Sequence, residues 1–174
     1  SYAKNHYTFT VEYNTDGKSK VSVLNIENGN KLFSLAAPDS VQLVETAWIG
    51  DDIYATGISE NGYSIYKTSI STYSDTISCA SWDNILGPQP VMLKDFKSYG
   101  EELIFTCDRT GVNELYHFNP STSSLYQKTS TRYGASDFEY SSDGQTLYYS
   151  SQTMMGKHIF RTPADSLLDR KVRF

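Results

Sequence analysis

Three segments of the chain share one pattern, and this repetition limits the possible folds more than any other feature. Each segment has a glycine turn, a polar pair, an apolar strand, a second glycine turn and a strand that ends on an aromatic residue. The first turns lie at Gly50, Gly100 and Asp143-Gly144. The closing aromatic residues are 50 and 44 residues apart, at Tyr66, Tyr116 and Phe160. A unit of this size cannot bury an apolar face alone, so the copies must pack on one another.

The period favours an all-β protein made of β-propeller blades, each with four antiparallel strands. A fainter copy precedes the three, with strands predicted at 8–13, 21–26 and 31–35. The chain then divides into about four blades, 1–38, 39–85, 86–130 and 131–174, within one domain, 1–174. They form either a closed four-blade ring or part of a larger propeller. We favour the larger propeller, and the start at Ser1 rather than Met is in keeping with a longer precursor.

The third blade is the most regular. Alternating apolar and polar residues predict strands at 91–99, 102–107, 114–118 and 124–128. Outer strands, such as residues 74–79, are more polar than inner ones. Pro88 and Pro90 are incompatible with a central strand, so residues 81–90 are predicted to be a loop between blades. Trp48 ends the first strand of its blade and is predicted to be a core residue.

Charge and hydropathy exclude several classes of protein. The net charge is −5 and the 15 basic residues are scattered, which argues against a nucleic-acid partner. The densest basic group, Arg170-Lys171-Arg173, is predicted to face solvent from an edge strand. No apolar run reaches about 18 residues, so no transmembrane segment is predicted. Cys79 and Cys107 lie in predicted strands, and two buried free thiols are favoured over a disulfide.

Residues 138–151 carry the most specific motif. They read F-E-Y-S-S-D-G-Q-T-L-Y-Y-S-S, and G-K-H-I-F-R follows at 156–161. This segment resembles the repeat of TolB-type, WD40-like propellers, F-S-P-D-G-K-x-L-x-F-x-S. It is also similar to blades in the N-terminal propeller of prolyl-oligopeptidase-type peptidases. Ser142 stands where the motif has proline. The resemblance is clearest over 135–162, extends over 41–120 and is weak before 38.

The resemblance implies a periplasmic or cell-surface location in a bacterial envelope and a protein partner. Its motif residues have a structural role. Asp143 can bond the turn amides and Gly144 permits a positive φ. Gly50 and Gly100 hold the same turn in the other copies without the preceding Asp.

No pattern typical of catalysis is present. A nucleophile elbow needs G-x-S-x-G, and residues 134–138, G-A-S-D-F, lack the second glycine. The three histidines, His6, His117 and His158, are not at metal-ligand spacing, so neither a metal nor a cofactor is predicted. His117 and His158 are predicted to occupy equivalent or adjacent positions near the ends of their third strands and to serve the fold. The chain is predicted not to be an enzyme.

The candidate ligand contacts are Trp82, Tyr99 and Tyr133, which lie near blade junctions, together with Tyr63 and the Met154-Met155 loop. The favoured hypothesis is a non-enzymatic binding or scaffold module that recognises a protein or other extended partner at its loop face. One alternative is an accessory propeller of a larger serine peptidase. Another is a carbohydrate-binding or glycosidase-type propeller, in which aromatic rings stack on sugars. The acid pairs Asp51-Asp52 and Glu101-Glu102 are predicted to be solvated turn residues.

Overall fold

The computed structural model describes the backbone of residues 7–73 and 76–173, with side chains except at 72, 73 and 76–79. The chain forms two compact units, Ser1–Pro90 and Val91–Phe174, called unit 1 and unit 2 below. Each unit contains two antiparallel sheets. Within the described residues, no helix is long and apolar enough to cross a membrane.

Unit 1 begins with a three-stranded sheet in the order β1-β2-β3, formed by Tyr7–Tyr13, Ser19–Asn25 and Lys31–Ala36. Its second sheet has the order β4-β5-β6-β7, formed by Gln42–Ile49, Asp52–Ser59, Gly62–Tyr73 and Thr76–Cys79. A fifth strand, β8 (Asp83–Gln89), pairs with the first part of β6, while β7 pairs with its last residues.

The strands β1 and β4 run in opposite directions. The Tyr13 hydroxyl at the end of β1 donates to the Leu43 carbonyl near the start of β4, at 2.9 Å. Phe9, near the start of β1, stacks on Trp48 near the end of β4, with ring centroids 5.2 Å apart. Because blades repeat by rotation, corresponding strands run in the same direction. The strand β1 therefore corresponds to the second strand of a blade, and Trp48 is a core residue, as predicted.

The prediction of a loop at residues 81–90 is wrong, because Asp83–Gln89 forms β8. The rule that excludes proline applies to central strands, whose amides must all donate to a neighbour. In the described part of unit 1, β8 pairs with β6 alone, so it is an edge strand and can accommodate Pro88.

Unit 2 contains a five-stranded sheet in the order β16-β12-β11-β10-β9. Strands β9 to β12 are Leu93–Tyr99, Glu102–Cys107, Glu114–Asn119 and Ser124–Gln127, close to the predicted bounds. Strands β13, β14 and β15, at Ala135–Tyr140, Thr146–Thr153 and Gly156–Pro163, form the second sheet. The two sheets pack through a core of Ile104, Leu115, Ala135, Phe138 and Leu147.

The last strand, β16 (Arg170–Val172), returns to the first sheet of unit 2. It pairs with β12, so that Arg170 faces Gln127 and Val172 faces Leu125. The basic group at the end of the chain thus begins on an edge strand, as predicted. Within the described residues, β15 is left with β14 as its one paired neighbour.

The repeat is visible in the strand register. The three closing aromatic residues occupy the same place in their hairpins. Tyr66 pairs with Ala55, Tyr116 with Phe105 and Phe160 with Tyr149. The glycines of the first turns all adopt a left-handed backbone, with φ of 61°, 59° and 70° at Gly50, Gly100 and Gly144. In the third copy Asp143 Oδ1 accepts from the Ser141 hydroxyl and the Gln145 amide, and these bonds lower the Asp143 pKa.

The all-β prediction is confirmed, with sheets of three to five strands rather than a uniform four. Extra edge strands account for the larger sheets, since β8 and β16 add to them. The prediction that His117 and His158 occupy equivalent or adjacent positions is wrong, because His117 directly follows Tyr116 whereas His158 lies two residues before the equivalent Phe160. His117 lies opposite Ile104 and is buried, whereas His158 lies opposite Ser151 and is exposed.

Candidate functional site

An open pocket of about 490 Å³ lies between the two sheets of unit 2, at the end where β9 begins. Met92 and Lys94 line it from the start of β9, and residues 111–113 from the β10–β11 loop. Residues 133–136 close another side, at the entry to β13. The remaining wall comes from the β14–β15 hairpin, through residues 150–152 and Lys157. We call this the loop-end pocket.

The linker between β12 and β13 is held by a buried carboxylate. Glu114 is 1% exposed, and its Oε1 accepts from the Thr131 amide at 2.5 Å and the Thr131 hydroxyl at 2.9 Å. Its Oε2 accepts from the Thr129 hydroxyl. Glu114 therefore fixes the segment that carries Tyr133 to the rim of the loop-end pocket.

Gly134 lets this linker pass close to the β10–β11 loop. Its φ is +83°, and a Cβ there would lie 3.2 Å from the Asn113 amide nitrogen. The next residue, Ala135, donates its amide to the Asn113 carbonyl at 2.7 Å. Two loops from different sheets are thus joined at the wall of the pocket by backbone contacts, which suits a rigid recognition surface.

Asp137 does not line the loop-end pocket itself, but it accepts hydrogen bonds from three residues that do, Ser136, Ser150 and Lys157. It lies in a bulge of β13 with φ of 55°, a left-handed conformation that Asp tolerates better than most residues. Its Oδ2 accepts from Lys157 Nζ at 2.7 Å, from the Ser136 hydroxyl at 3.1 Å and from the Ser150 hydroxyl. The bond from Lys157, followed by those from the serines, lowers the pKa of Asp137 to about 2.

This cluster is not suited to nucleophilic catalysis. A carboxylate with a pKa near 2 is a weak base near neutral pH, so Asp137 cannot activate Ser136 or Ser150 efficiently. Among the described residues, no group of three or more His, Cys, Asp or Glu side chains could hold a metal ion. The cluster instead fixes the positions of its members on the wall.

The same bulge occurs in β9, where Asp95 has a φ of 54°. The Thr106 hydroxyl contacts both the Lys94 carbonyl and Asp95 Oδ2, at 3.2 Å each. Ser150 makes the equivalent contacts to Ser136 and Asp137. Sequence reasoning missed these residues. The available signal was the dipeptide Asp-Phe at 95–96 and 137–138, in equivalent first strands.

The loop end of unit 2 exposes apolar side chains. The most exposed are at the tip of the β14–β15 hairpin and on the pocket rim: Met154 96%, Met155 90%, Tyr133 50% and Met92 40%. Methionine is flexible and polarizable, and it is common on surfaces that bind peptides. Lys94 is also exposed on the rim, and no hydrogen bond or ion pair of its ammonium group is found among the described residues.

The four predicted aromatic ligand residues do not share one site. Tyr133 lies on the rim of the loop-end pocket. Tyr99 lies at the opposite end of β9, where it stacks on Tyr140 with ring centroids 4.2 Å apart. Tyr63 and Trp82 belong to unit 1. The Trp82 indole packs on the unit 1 core and donates to the Ala36 carbonyl at 2.9 Å, and Tyr63 pairs with Gln89 in the sheet.

The surroundings of Tyr99 form a structural network. Glu102 Oε2 lies 2.7 Å from His117 Nδ1, and the Tyr140 hydroxyl lies 3.0 Å from His117 Nε2. Burial lowers the pKa of His117 against the opposing effect of Glu102, and burial raises the pKa of Tyr140. A neutral imidazole can donate to Glu102 and accept from Tyr140. The network joins β10, β11 and β13 and keeps Tyr140 protonated.

Unit 1 has a corresponding pocket of about 670 Å³. It is lined by the β1–β2 turn, the β3–β4 linker and the β5–β6 turn. Its lining contains no aromatic residue and no methionine. The loop-end pocket of unit 2 is therefore the better candidate for apolar recognition.

No protein-family model matches the chain, and no curated protein matches it either. Solved structures do match. A candidate TolB protein from Agrobacterium tumefaciens is 14% identical, with a TM-score of 0.68 over 97% of this chain and 62% of its own. TolB from Acinetobacter baumannii is 12% identical, with a TM-score of 0.66 over 97% of this chain and 41% of its own. Prolyl oligopeptidase B from Galerina marginata is 11% identical, with a TM-score of 0.56 over 97% of this chain and 27% of its own.

These matches show the fold. The chain has the β-propeller architecture of TolB proteins and of the propellers in prolyl oligopeptidases, as the repeat predicted. It spans less than two thirds of the length of each of these proteins.

Proposed function

We propose that this chain is a non-enzymatic binding module that holds an extended polypeptide at the loop end of unit 2. The observation that carries the proposal is the group of exposed apolar side chains, Met92, Tyr133, Met154 and Met155, beside an open pocket. Exposed apolar side chains grouped beside a pocket commonly mark an interaction site. The bonds of Glu114 and Asp137 hold the walls in place without a partner, which reduces the ordering cost of binding.

The pocket also suggests the chemistry of the partner. Its apolar rim suits a peptide with aliphatic or aromatic side chains, and Lys94 offers a positive charge to an acidic one. The likeness to TolB structures supports a periplasmic or cell-surface location. Both features favour a protein partner.

A peptide-display selection tests the proposal. Random linear peptides are selected on the intact chain, and their dissociation constants are measured by fluorescence anisotropy. Tyr133→Ala and the double change Met154→Ser/Met155→Ser should each weaken binding about tenfold or more, as expected for central apolar contacts. Ile26→Ser is the matched control, because Ile26 is 48% exposed but lies in unit 1. If peptides bind all variants equally, the site is elsewhere.

The match to a prolyl oligopeptidase propeller supports a second candidate, an accessory propeller of a larger serine peptidase. The chain itself should then remain unlabelled by a fluorophosphonate probe, because Asp137 cannot activate the nearby serines. Labelling of Ser136 or Ser150, located by mass spectrometry, would contradict the non-enzymatic assignment. Binding on a glycan array without any peptide binding would favour the carbohydrate alternative.

A further inference from the structure

Methionine has an uneven distribution in this chain. All three methionines are exposed at the loop end of unit 2, Met154 at 96%, Met155 at 90% and Met92 at 40%. Methionine is ordinarily among the residue types that are most often buried. Because the chain has no other methionine, its cores contain no thioether, and every thioether lies at the candidate binding site.

Met154 and Met155 form the two-residue turn between β14 and β15. The strand residue before them, Thr153, pairs with Gly156 after them. The Thr153 hydroxyl donates to the Gly156 carbonyl at 2.9 Å and accepts from the Met155 amide at 3.1 Å. The turn is therefore held by backbone groups and one hydroxyl, and the two methionine side chains take no part in it.

The β5–β6 turn of unit 1 has the same construction. Ser59 takes the place of Thr153, since its hydroxyl donates to the Gly62 carbonyl and accepts from the Asn61 amide, at 3.3 Å each. Glu60 and Asn61 thus occupy the positions of the two methionines, and both are exposed. The backbone of this turn does not require apolar residues, so the methionine pair is not explained by the fold.

A covering sheet does not bury hairpin tips of this kind. Ile104 and Leu115, in the β10–β11 hairpin, are buried beneath the sheet of β13, β14 and β15, yet residues 108–111 of its loop stay exposed. The exposure of Met154 and Met155 is therefore a property of the tip itself, whatever packs on the face of their sheet.

A thioether differs from other apolar side chains in one reaction. The methionine sulfur attacks one oxygen of a peroxide, and an S–O bond forms as the O–O bond breaks. With hydrogen peroxide, the sulfur loses two electrons and the departing hydroxide takes the proton of the transferred hydroxyl group. The products are methionine sulfoxide and water. A sulfoxide reductase reverses the change, because a dithiol becomes a disulfide while the oxygen leaves as water.

The fold confines this reaction to the loop end. No methionine is buried, so sulfoxide formation disrupts no core contact. The bonds of Thr153 that hold the turn involve no sulfur atom. Burial of Cys107 raises its pKa to about 11, so this side chain stays a thiol and competes poorly for peroxide. Oxidation thus changes the polarity of the tip and leaves its position unchanged.

We propose that Met154 and Met155 form a reversible oxidation site, at which peroxide converts both thioethers to sulfoxides and releases a polypeptide bound at the loop end. The inference rests on the proposed function, because the ligand affected is the extended polypeptide held beside Met92 and Tyr133. Each sulfoxide replaces an apolar contact with a polar group that loses its hydration when a ligand covers it. The reduced chain therefore binds the polypeptide and the oxidised chain does not.

The first test follows the sulfur atoms alone. The intact chain, folded or unfolded in urea, is treated with hydrogen peroxide, and the reaction is stopped with free methionine. Mass spectrometry of the digest then gives the sulfoxide at each position. Met154 and Met155 should oxidise as fast in the folded chain as in the unfolded one and before Met92, with the circular dichroism unchanged. Faster oxidation of Met92, or loss of the fold with oxidation of the tip, overturns the inference.

The second test measures binding of a display-selected peptide that lacks methionine and cysteine, by fluorescence anisotropy. Oxidised wild type should bind about tenfold or more weakly than reduced wild type. Methionine sulfoxide reductases of types A and B with dithiothreitol should restore the affinity. Met154→Leu/Met155→Leu cannot form the sulfoxides, so its dissociation constants before and after peroxide treatment should be equal. Met92→Leu is the matched control, because it keeps both tip sulfurs and should respond to peroxide as the wild type does.

The outcomes separate this inference from the proposed function. A peptide that Tyr133→Ala weakens, but that binds reduced and oxidised wild type equally, overturns the inference alone. A response to peroxide that persists in the double leucine variant, or disappears in Met92→Leu, also overturns it, because the sensitive group then lies elsewhere. A reduced chain that selects no peptide overturns the proposed function and this inference with it.

Discussion

Removal of the Glu114 carboxylate should loosen the wall that carries Tyr133. Glu114 is 1% exposed and accepts three hydrogen bonds, from the Thr131 amide, the Thr131 hydroxyl and the Thr129 hydroxyl. The Thr129 oxygen in turn accepts from the Leu115 amide at 2.9 Å. The carboxylate is thus the common acceptor that ties the linker to β11.

The expected loss of stability follows from these contacts. A hydrogen bond to a charged group contributes about 1.5–3 kcal/mol, and an orphaned buried donor costs about 1–3 kcal/mol. Glu114→Ala removes three such bonds, but it also removes a buried charge whose desolvation opposes folding. We expect a net loss of about 2–4 kcal/mol. Glu114→Gln should lose about 1–2 kcal/mol, because its amide oxygen can still accept from Thr131 while its NH₂ group faces the Thr129 hydroxyl.

Two measurements check this prediction. Urea unfolding followed by far-ultraviolet circular dichroism gives the free energy of unfolding. Amide hydrogen exchange at Thr131 reports the linker directly, and its protection should fall in the alanine variant before that of the strands. Glu101→Ala is the control, because Glu101 is exposed on the β9–β10 turn of the same unit.

Two variants of nearly wild-type stability would contradict this role of Glu114. If Glu114→Ala and Glu114→Gln both lost less than about 0.5 kcal/mol, with Thr131 still protected, other contacts would hold the linker. The proposed rigidity of the peptide site would then lose its main support.

Two further predictions concern titratable groups in unit 2. Burial lowers the pKa of His117, so its folded value lies below the ordinary one of about 6.5. The unfolded chain then binds the proton more readily, and stability should fall as the pH drops through about 6.5. The urea concentration at the midpoint of unfolding should fall with the pH in the wild type and should fall less in His117→Gln. If the midpoints of both proteins changed equally with pH, His117 would be excluded as the cause. Cys107 is buried and free, and burial raises its pKa to about 11. In a Cys79→Ser background its alkylation near neutral pH should follow global unfolding, and rapid labelling of the folded protein would contradict its burial.

The strands of the third repeat could be predicted because their signals are local. Apolar alternation and a glycine turn after Tyr99 predicted β9 and β10 within about two residues of their observed ends. Tight turns were predicted at Gly50, Gly100 and Gly144. The φ angle of each glycine is positive, and another residue would strain the turn there.

Neither β8 nor the partner of β16 could be predicted in the same way. The prolines of residues 81–90 indicated a loop, yet β8 can form because it is an edge strand. The pairing of β16 with β12 joins residues more than forty positions apart, and no local pattern encodes such a partner. Cys79 was also interpreted as a buried thiol, and its side chain lies outside the described residues.

The candidate site was predictable only in part. An aromatic residue near a blade junction indicated Tyr133, but the same criterion chose Trp82, whose indole packs on the unit 1 core. The roles of Glu114 and Asp137 depend on partners brought together by folding. An acidic residue in a strand looks the same in sequence whether it is solvated or accepts three buried hydrogen bonds.

The class of fold, the repeat and the turns follow from local sequence patterns, because strand alternation and the backbone freedom of glycine act over a few neighbouring residues. The tertiary structure alone decided which edges are paired, which aromatic residues are exposed and which acids meet hydroxyl groups. Those outcomes depend on contacts between distant segments. Ile159 shows the difference: its position in the repeat is that of the buried Leu115, and only the absence of a covering sheet among the described residues leaves it exposed.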